Sequence, residues 1–512
     1  MDSARWWRDA VIYEVYVRSF ADDTGDGTGD LPGVTQRLPY LRDLGVDAIW
    51  LTPFYRSPMI DGGYDVTDHR DVDPLFGTLA DFDAMRSRAH ELGLRVIVDL
   101  VPNHSSAEHP WFREALAAPP GSPARERYVF RPGQGPNHEL PPNDWESVFG
   151  GGAWVRVPDG DWYLHLFDAS QPDFNWQHPE VQAEFESILR YWLDRGVDGF
   201  RVDVAHGLVK AEGLPDVGRP DQMQERSRAV LPYWDQDGIH EIYRSWRAIL
   251  DSYPGDRMAV AEAWVSPPER LSRYVAADEM HQAFNFDFLT APWSAEAYRE
   301  VIDACLTASE KAGATTTWVL SNHDVRRHTA RLGSLARARA ATLMMLALPG
   351  SAYLYQGEEL GLPEVLDLPD GLRQDPEFIR SGGEMLGRDG CRIPLPWSGT
   401  APPFGFTTAP AAWLPAPPAW ELLTVEAQEA DPTSTLSFYR RALALRRDRA
   451  GGALAWHDAP PDVLHFTGRG GLRCVVNLGH TPVPLPQGYP DPLLSSAPLV
   501  GGTLSPDTAA WF

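Results

Sequence analysis

The sequence predicts an α/β fold, a (β/α)8 barrel with a subdomain inserted after its third strand and an antiparallel β domain at its C-terminal end. Short apolar runs alternate with longer amphipathic segments along most of the 512 residues. Glycines separate the units, as in ELG at 91–93 and DRG at 194–196. This alternation is typical of parallel strands joined by helices, and eight repeats favour a barrel over a doubly wound sheet.

Eight apolar runs have the length and the residue types of buried strands. They are, in chain order, VIYEVYV (11–17), VDAIWLT (46–52), LRVIVDLV (94–101), VDGFRVDV (197–204), RMAVAEAW (257–264), AFNFDF (283–288), TTWVLSN (316–322) and SAYLYQG (351–357).

The segments between these runs show the apolar period of helices that pack on one face. The clearest are VTQRLPYLRDLG (34–45), LADFDAMRSRAHELG (79–93), VQAEFESILRYWLDRG (181–196), GIHEIYRSWRAILDSY (238–253) and ARARAATLMMLALPG (336–350). A last helix, LSFYRRALALRRDR (436–449), would complete the barrel.

Interruptions of this pattern predict the domain organisation. The barrel takes residues 1–102 and 171–450, with a Pro-rich loop insertion at about 358–430. Residues 103–170 are rich in Pro, Gly, Asn and Trp without a barrel-like period, which predicts an inserted subdomain. Residues 453–512 contain short strand-like pieces between Pro/Gly turns, which predicts a small β domain.

Composition narrows the class of protein. A hydrophobic fraction of 43% with 19 tryptophans indicates a globular protein with a large core. The 45 basic and 71 acidic residues give a net charge of −26, which argues against nucleic acid and anionic membranes as partners. Three scattered cysteines form no disulfide framework. With no signal-peptide pattern and no apolar run of about 18 residues, we expect a cytoplasmic protein; its oligomeric state stays open.

Polar residues able to carry catalysis follow four of the strand-like runs. In a (β/α)8 barrel the C-terminal strand ends converge on one pocket, so these side chains should meet there. Any one carboxylate could instead cap a helix or form an ion pair, but four such strand ends together favour a pocket. The residues are Asp99, Asn103, His104, Arg201, Asp203, His206, Glu262, Asn322, His323 and Asp324.

Paired carboxylates suit cleavage of a glycosidic bond, in which one attacks the anomeric carbon and the other protonates the leaving oxygen. Arg201 and Asp203 are two residues apart on a strand and hence on one face, so the guanidinium should keep Asp203 ionised. Glu262 lies between alanines and before Trp264. Such surroundings should raise the pKa of its carboxyl, as a general acid requires.

Four ordered motifs, DLVPNH, GFRVDVAH, AEAW and SNHD, resemble the signature regions of the alpha-amylase family of glycoside hydrolases. QPDFNW (171–176) resembles a fifth region in that family's alpha-glucosidase and oligo-1,6-glucosidase branch. GGYDVTDHRDVDPLFGT (62–78) resembles the segment that supplies a Tyr–Asp pair in that branch. The resemblance spans nearly the whole chain.

The resemblance implies a role for each site residue. Asp203 would be the nucleophile, Glu262 the acid/base, and Asp324 the third carboxylate, which grips and distorts the sugar. The residues implied to bind the terminal glucose are Tyr64, Asp65, His104, Arg201 and His323. Asp65 and a later arginine would close the pocket and make the enzyme exo-acting; Arg392 is the predicted partner and Arg388 a second candidate. Phe149 and Phe167 would form an aromatic wall near the leaving group, or else pack within the inserted subdomain.

We therefore expect a retaining exo-alpha-glucosidase that acts on short alpha-glucosides such as maltose, with glucosyl transfer to acceptors as a second outcome. The valine that follows Asp203, Val204, resembles the residue at this position in enzymes that accept alpha-1,6 links. The preference for alpha-1,4 or alpha-1,6 links therefore stays open. The alternatives are oligo-1,6-glucosidase, sucrose hydrolase or isomerase, and trehalose synthase. Non-catalytic heavy chains of amino-acid transporters also resemble this barrel, but they carry a transmembrane helix and lack part of the carboxylate set. A carbohydrate-binding module would not explain carboxylates at three strand ends.

The stretch DDTGDGTGDL (22–31) places carboxylates and hydroxyls on one small loop. An EF-hand is excluded, because the twelfth position counted from Asp22 is Gly33 and the loop follows a strand. In the branch named above, such a loop holds a structural metal ion, usually calcium, with magnesium as an alternative; otherwise the loop is a self-bonded polar turn. The resemblance implies ligation by Asp22, Thr24, Asp26, Asp30 and the backbone carbonyl of Thr28.

Overall fold

The computed structural model describes residues 5–219, 222, 230–485 and 489–512. Residues 1–4, 220, 221, 223–229 and 486–488, which the predicted domain ranges include, lie outside this part of the chain. The centre of the structure is one sheet of eight parallel strands. They are β1 (Val11–Val15), β2 (Ala48–Leu51), β3 (Arg95–Leu100), β4 (Gly199–Val202), β5 (Met258–Ala261), β6 (Gln282–Ala283), β7 (Thr317–Val319) and β8 (Ser351–Tyr355).

The strand order is β6–β5–β4–β3–β2–β1–β8–β7, so β6 and β7 stand at the two ends of the sheet. The Thr317 hydroxyl of β7 donates to the Ala283 carbonyl of β6, which brings these ends together into a nearly closed barrel. Each of the eight predicted strands is present, and the predicted fold class is confirmed. Trp50, Met258 and Tyr353 belong to the apolar cluster of alternate strand residues that fills the barrel interior.

Eight helices follow the strands in turn: α1 (Leu31–Leu44), α2 (Leu79–Glu91), α3 (Pro179–Asp194), α4 (Ile239–Asp251), α5 (Pro268–Leu271), α6 (Ala295–Ala312), α7 (Leu335–Ala347) and α8 (Thr435–Arg447). Local sequence sets their ends. Thr78 and Asp81 form a capping box at the start of α2, and Gly45 ends α1 with a left-handed φ of 103°. Shorter helices lie in the loops at Pro110–Ala117, Pro123–Glu126, Phe286–Thr290, His328–Arg331, Pro376–Arg380 and Val425–Glu429.

Smaller antiparallel sheets lie outside the barrel. The segment after β3 forms a three-stranded sheet from Phe130–Pro132, Trp154–Arg156 and Asp161–Leu164. The strands Tyr55–Arg56 and Asp68–Val72 pair after β2. The C-terminal part forms a five-stranded sheet from Ala455–Trp456, Val463–Thr467, Arg473–Asn477, Thr508–Trp511 and Leu494–Ser495, beside the pair Val483–Pro484 and Thr503–Leu504. No helix in the described part of the chain is long and apolar enough to cross a membrane.

A buried carboxylate organises the end of the barrel opposite to the catalytic strand ends. Asp198, just before β4, accepts hydrogen bonds from His90 Nε2 at 2.7 Å and from the Val96 N–H at 2.9 Å. Its other oxygen lies 3.2 Å from Arg95 and 2.8 Å from Arg257. Burial alone would raise the pKa of Asp198, but these donors lower it below the usual range. Asp198 therefore holds the starts of β3, β4 and β5 together.

Asp198→Asn should lower the free energy of unfolding by about 2 kcal/mol at pH 7, because charged hydrogen bonds are lost inside the protein. A depressed pKa contributes stability that is present above the unfolded-state pKa, near 3.9, and is lost as the pH falls below it. Urea unfolding should therefore show a smaller difference in the free energy of unfolding between wild type and Asp198→Asn at about pH 3 than at about pH 5. An equal difference at both pH values would contradict this account.

Candidate active site

A cavity opens at the C-terminal ends of the barrel strands and has a volume of about 920 Å³, counting its mouth. Predicted site residues that line it are Tyr64, His104, Phe149, Phe167, Asp203, Glu262 and Asp324. The other lining residues are Asp61, Val148, Val204, His206, Trp234, Trp264, Val325, Glu377 and Arg388.

Arg201 lies below this cavity and contacts three carboxylates, of which Asp203 and Glu262 line the cavity. On β4 it pairs in register with Asp99 of β3. Its guanidinium lies 2.6 Å from Asp203 Oδ1, 3.0 Å from Asp99 Oδ1 and 3.8 Å from Glu262 Oε2. Its side chain is only 1% exposed, so it acts on substrate through the carboxylates that it positions.

The charge balance around Asp203 differs from the expectation drawn from Arg201 alone. Burial raises the pKa of Asp203 well above its usual value; Arg201 opposes this, but Glu262, Asp99 and Asp324 raise it further. Burial likewise raises the pKa of Asp99 to about 6. A single guanidinium serves several acids, so it does not keep Asp203 ionised by itself.

Glu262 is held beside Asp203 by backbone contacts at the end of β5. Its N–H donates to the Val202 carbonyl at 2.9 Å, and its carboxylate Oε2 accepts the Val204 N–H at 2.7 Å. The Ala205 N–H donates to the Glu262 carbonyl at 2.8 Å. The two segments that carry the predicted nucleophile and acid are thus bonded to each other, and these donors were not evident from the alanines that flank Glu262 in sequence.

Asp324 lies beside two arginines and a histidine. Its Oδ1 lies 3.0 Å from Arg388 and 3.1 Å from Arg392, and its Oδ2 lies 3.3 Å from His323 Nε2. Burial tends to raise the pKa of Asp324, but His323 and the two arginines outweigh it and hold the pKa well below the usual range. These neighbours favour the ionised form of Asp324.

The predicted Asp65–Arg392 closure is replaced by a different pair. Arg388 donates to Asp61 Oδ1 at 2.6 Å, and both residues line the cavity. Asp65 lies behind the wall, where it accepts hydrogen bonds from Ser57 Oγ at 2.8 Å and from the N–H groups of Ile60 at 3.0 Å and Asp61 at 3.1 Å. Arg392 is also behind the wall.

The turn before Tyr64 determines which of the two aspartates faces the cavity. Asp65 is fully buried and shapes that turn, and the turn presents Asp61 to the cavity. Burial raises the pKa of Asp65 to about 6. Arg392 donates to the His323 carbonyl at 3.0 Å and supports Asp324 from below. The motif was informative, but a single sequence does not show which of two aspartates faces inward.

His323 is buried beneath Tyr64 and is oriented by a residue that the sequence analysis did not name. Its ring stacks on Tyr64 at 5.2 Å, and its Nδ1 lies 2.5 Å from Glu14 Oε1 on β1. Burial lowers the pKa of His323 well below its usual value and raises that of Glu14. A glutamate inside the apolar run VIYEVYV was the signal that could have identified Glu14.

An aromatic wall runs along one side of the cavity. Phe167 contacts Phe149 at 5.8 Å, His104 at 5.0 Å and Trp234 at 6.4 Å between ring centroids. Trp234 stacks on His206 at 4.5 Å. Phe149 and Phe167 therefore face the cavity, as one of the two expectations had it. Trp234 comes from an irregular segment and Glu377 from a helix of five residues, neither of which has a periodic pattern that marks a wall residue in the sequence.

Comparison with known proteins assigns the family. Residues 14–453 match the alpha-amylase catalytic domain, and residues 450–511 match a domain of unknown function, DUF3459. The chain belongs to the alpha-amylase family. This confirms the resemblance that its motifs suggested.

Individual members of the alpha-amylase family are similar along most of the chain. A probable alpha-glucosidase of Rhizobium meliloti is 41% identical over 88% of this chain and 84% of its own length. An oligo-1,6-glucosidase of Parageobacillus thermoglucosidasius is 35% identical over 86% and 84%. The crystal structure of an alpha-glucosyl transfer enzyme superposes with a TM-score of 0.89 at 36% identity, covering 99% of this chain and 100% of that one.

The loop after β1 in this alpha-amylase family member is tied together by its own hydrogen bonds. Asp22 accepts the N–H groups of Gly25 at 2.7 Å and Gly27 at 2.8 Å. Asp30 accepts three N–H groups, including that of Gly33 at 2.6 Å, which caps α1. Asp26 accepts the Thr28 N–H at 2.8 Å, and Thr24 donates its hydroxyl to Asp22 at 3.1 Å. Within the described residues, no group of three or more Asp, Glu, His or Cys side chains is placed to hold a metal ion.

The placement of Asp61 and Asp65 can be tested by substitution. Asp61→Asn should lower kcat/KM on an alpha-glucoside by about 100-fold, because the partner of Arg388 at the closed end loses its charge. Asp65→Asn should instead lower the melting temperature, because it weakens the turn, with a smaller effect on kcat/KM. The reverse pattern in steady-state kinetics and thermal unfolding would restore Asp65 as the substrate-binding residue.

Proposed function

We propose that the protein is a retaining exo-alpha-glucosidase that releases terminal glucose from short alpha-glucosides such as maltose. The observation that carries the proposal is a pocket with one closed end. Asp203 and Glu262 contact one guanidinium at its base, and the Asp61–Arg388 pair closes it beside Asp324. A pocket of this form admits the end of a chain and places its first glycosidic bond near the two acids.

In the first step the Asp203 carboxylate attacks the anomeric carbon and forms a glycosyl ester. The bond to the leaving oxygen breaks as Glu262 donates its proton to that oxygen. Retention by this route requires carboxyl groups about 5–5.5 Å apart. The Val204 N–H at 2.7 Å from Glu262 Oε2 supports the carboxylate that forms.

In the second step Glu262 takes a proton from water, and the resulting hydroxide displaces Asp203 from the anomeric carbon. Glucose leaves with its original alpha configuration, and both carboxyl groups return to their starting states. An alcohol in place of water would give glucosyl transfer by the same route. In this mechanism Asp324, which lies beside His323, Arg388 and Arg392, accepts hydrogen bonds from sugar hydroxyls and takes no part in the two proton transfers.

A second candidate is oligo-1,6-glucosidase. Val204, the residue that suggested acceptance of alpha-1,6 links, lines the cavity directly after the nucleophile. Its backbone N–H also donates to Glu262 Oε2, so Val204 is next to the residue proposed to protonate the leaving oxygen. Sucrose hydrolase or isomerase and trehalose synthase would use the same carboxylates and differ in the group that occupies the leaving side.

Asp203→Asn should reduce hydrolysis by at least about 10,000-fold without lowering the melting temperature, because the nucleophile is lost while its hydrogen-bonding shape remains. Products from maltose, isomaltose, sucrose and trehalose should be followed by NMR, so that the first sugar formed shows its anomeric configuration. Retained activity in Asp203→Asn would overturn the nucleophile assignment. A beta-configured product would overturn retention.

We further propose that the loop after β1 binds calcium, or magnesium in its place, through Asp22, Thr24, Asp26, Asp30 and the Thr28 carbonyl. The hard oxygen donors of this loop support the proposal, because Asp22 Oδ2, Asp26 Oδ1 and Asp30 Oδ1 each accept a single N–H and keep a further lone pair for a cation. The ion would fix this loop in place, and it would have no direct part in the reaction.

A calcium ion in this loop should raise the melting temperature with little effect on kcat. Exhaustive treatment with a chelator should then lower the melting temperature by several degrees, roughly as loss of a native-state ligand predicts. Asp26→Ala should lower it by a similar amount and make it insensitive to chelator. An unchanged melting temperature after chelation would identify the loop as a self-bonded turn.

A further inference from the structure

The two sides of the pocket mouth come from distant parts of the chain. The inserted subdomain supplies Val148, Phe149 and Phe167, and the segment after β8 supplies Glu377 and Arg388. The segment after β8 contacts the subdomain beside these wall residues, and such contacts can hold the two sides of the mouth together.

Arg380, in the segment after β8, contacts the inserted subdomain next to two of its wall residues. Arg380 ends the helix Pro376–Arg380, one turn after Glu377. Its guanidinium donates to the Gly150 carbonyl at 2.7 Å and lies 3.7 Å from Asp168 Oδ2. Gly150 follows Phe149 and Asp168 follows Phe167, so Arg380 ties the positions next to two residues of the opposite wall.

The wall that Arg380 holds is built on a pliable turn. Gly150 and Gly151 have left-handed φ angles of 89° and 74°, and the Ser147 N–H closes the turn on the Gly151 carbonyl at 2.8 Å. Glycines allow more backbone conformations than other residues, so this turn depends on outside contacts for its position.

The carboxylate that Arg380 approaches and the helix that carries Arg380 are both held by further hydrogen bonds. Asp168 Oδ1 accepts the Ser170 N–H at 2.9 Å and the Ser170 hydroxyl at 2.7 Å, which leaves Oδ2 toward Arg380. On the opposite wall, Asp375 caps the short helix through the Glu377 N–H at 2.8 Å and also binds Arg388 Nε at 2.6 Å. The helix that carries Arg380 is therefore fixed to the closed end of the pocket.

We propose that Arg380 is a specificity-determining residue, a strap across the mouth that limits how long a glucoside chain can extend out of the pocket. This inference rests on the proposed alpha-glucosidase function and adds the length of the substrate to it. With the strap in place, the walls enclose the terminal glucose and the leaving sugar. Without it, the glycine turn can move outward and longer chains gain room.

The experiment compares kcat/KM for maltose and maltotetraose in the wild-type enzyme and in Arg380→Ala; if the enzyme prefers alpha-1,6 links, isomaltose and isomaltotetraose take their place. The ratio of the long to the short substrate should rise about fivefold or more. The full effect of a charged hydrogen bond is not expected, because the Arg380 side chain is 22% exposed. Asp168→Asn weakens the same strap more gently and should shift the ratio in the same direction.

Arg156→Ala is a matched control. Arg156 also donates to a backbone carbonyl of the inserted subdomain, that of Asn137 at 2.8 Å, but neither residue is next in sequence to one that lines the pocket. Its loss should leave the substrate ratio unchanged.

An unchanged ratio in Arg380→Ala, or an equal loss on both substrates, would overturn the strap, because a purely structural role would not discriminate by length. If wild-type enzyme hydrolysed none of the four oligosaccharides, the proposed function would fail and the inference with it. Wild-type activity combined with an unchanged ratio would remove the inference alone.

Discussion

The pocket depends on one guanidinium. Arg201 stands at the centre of the catalytic end of the barrel and contacts carboxylates from β3, from the end of its own strand β4, and from the end of β5. Several acids so close together inside a protein would repel one another and resist ionisation. The buried cation offsets part of that repulsion, so Asp203 and Glu262 can lie together at the same site. Any change that displaces Arg201 removes the common partner of all three strand ends.

Charge is distributed unevenly along the pocket. Around Asp203 acids outnumber cations, and the pKa of its carboxyl is raised; around Asp324 three basic side chains gather, and the pKa is depressed. The two aspartates follow strands of the same barrel, so the difference comes from the loops around them. The segment after β8 brings Arg388 and Arg392 to Asp324 but brings no cation to Asp203.

The sequence was sufficient for the barrel, its insertions and the three carboxylates. The spacing of apolar residues along the sequence shows which faces of the strands and helices are buried. The topology of a barrel brings the C-terminal ends of its strands to one pocket. It was insufficient where a choice depended on a turn or on an irregular loop. The turn before Tyr64 places Asp61 at the cavity and Asp65 behind its wall, and of the two candidate arginines it is Arg388, the second, that lines the cavity. Trp234 and Glu377 lacked any periodic signal, whereas Glu14 was visible as an acid inside an apolar run.

Glu14 also has a consequence for how the enzyme is assembled. It contacts His323 across 309 residues of sequence, and Tyr13 beside it donates to Glu359 across 346. The first strand pairs with β2 near it in the chain, but its side chains reach Glu359 and His323 only after the last strands have been made. Contacts of such high sequence separation form late, because loop closure precedes any gain from them. Catalytic competence in this chain is therefore a property of the finished ring, and helices and sheets that form earlier during folding do not by themselves produce a working site.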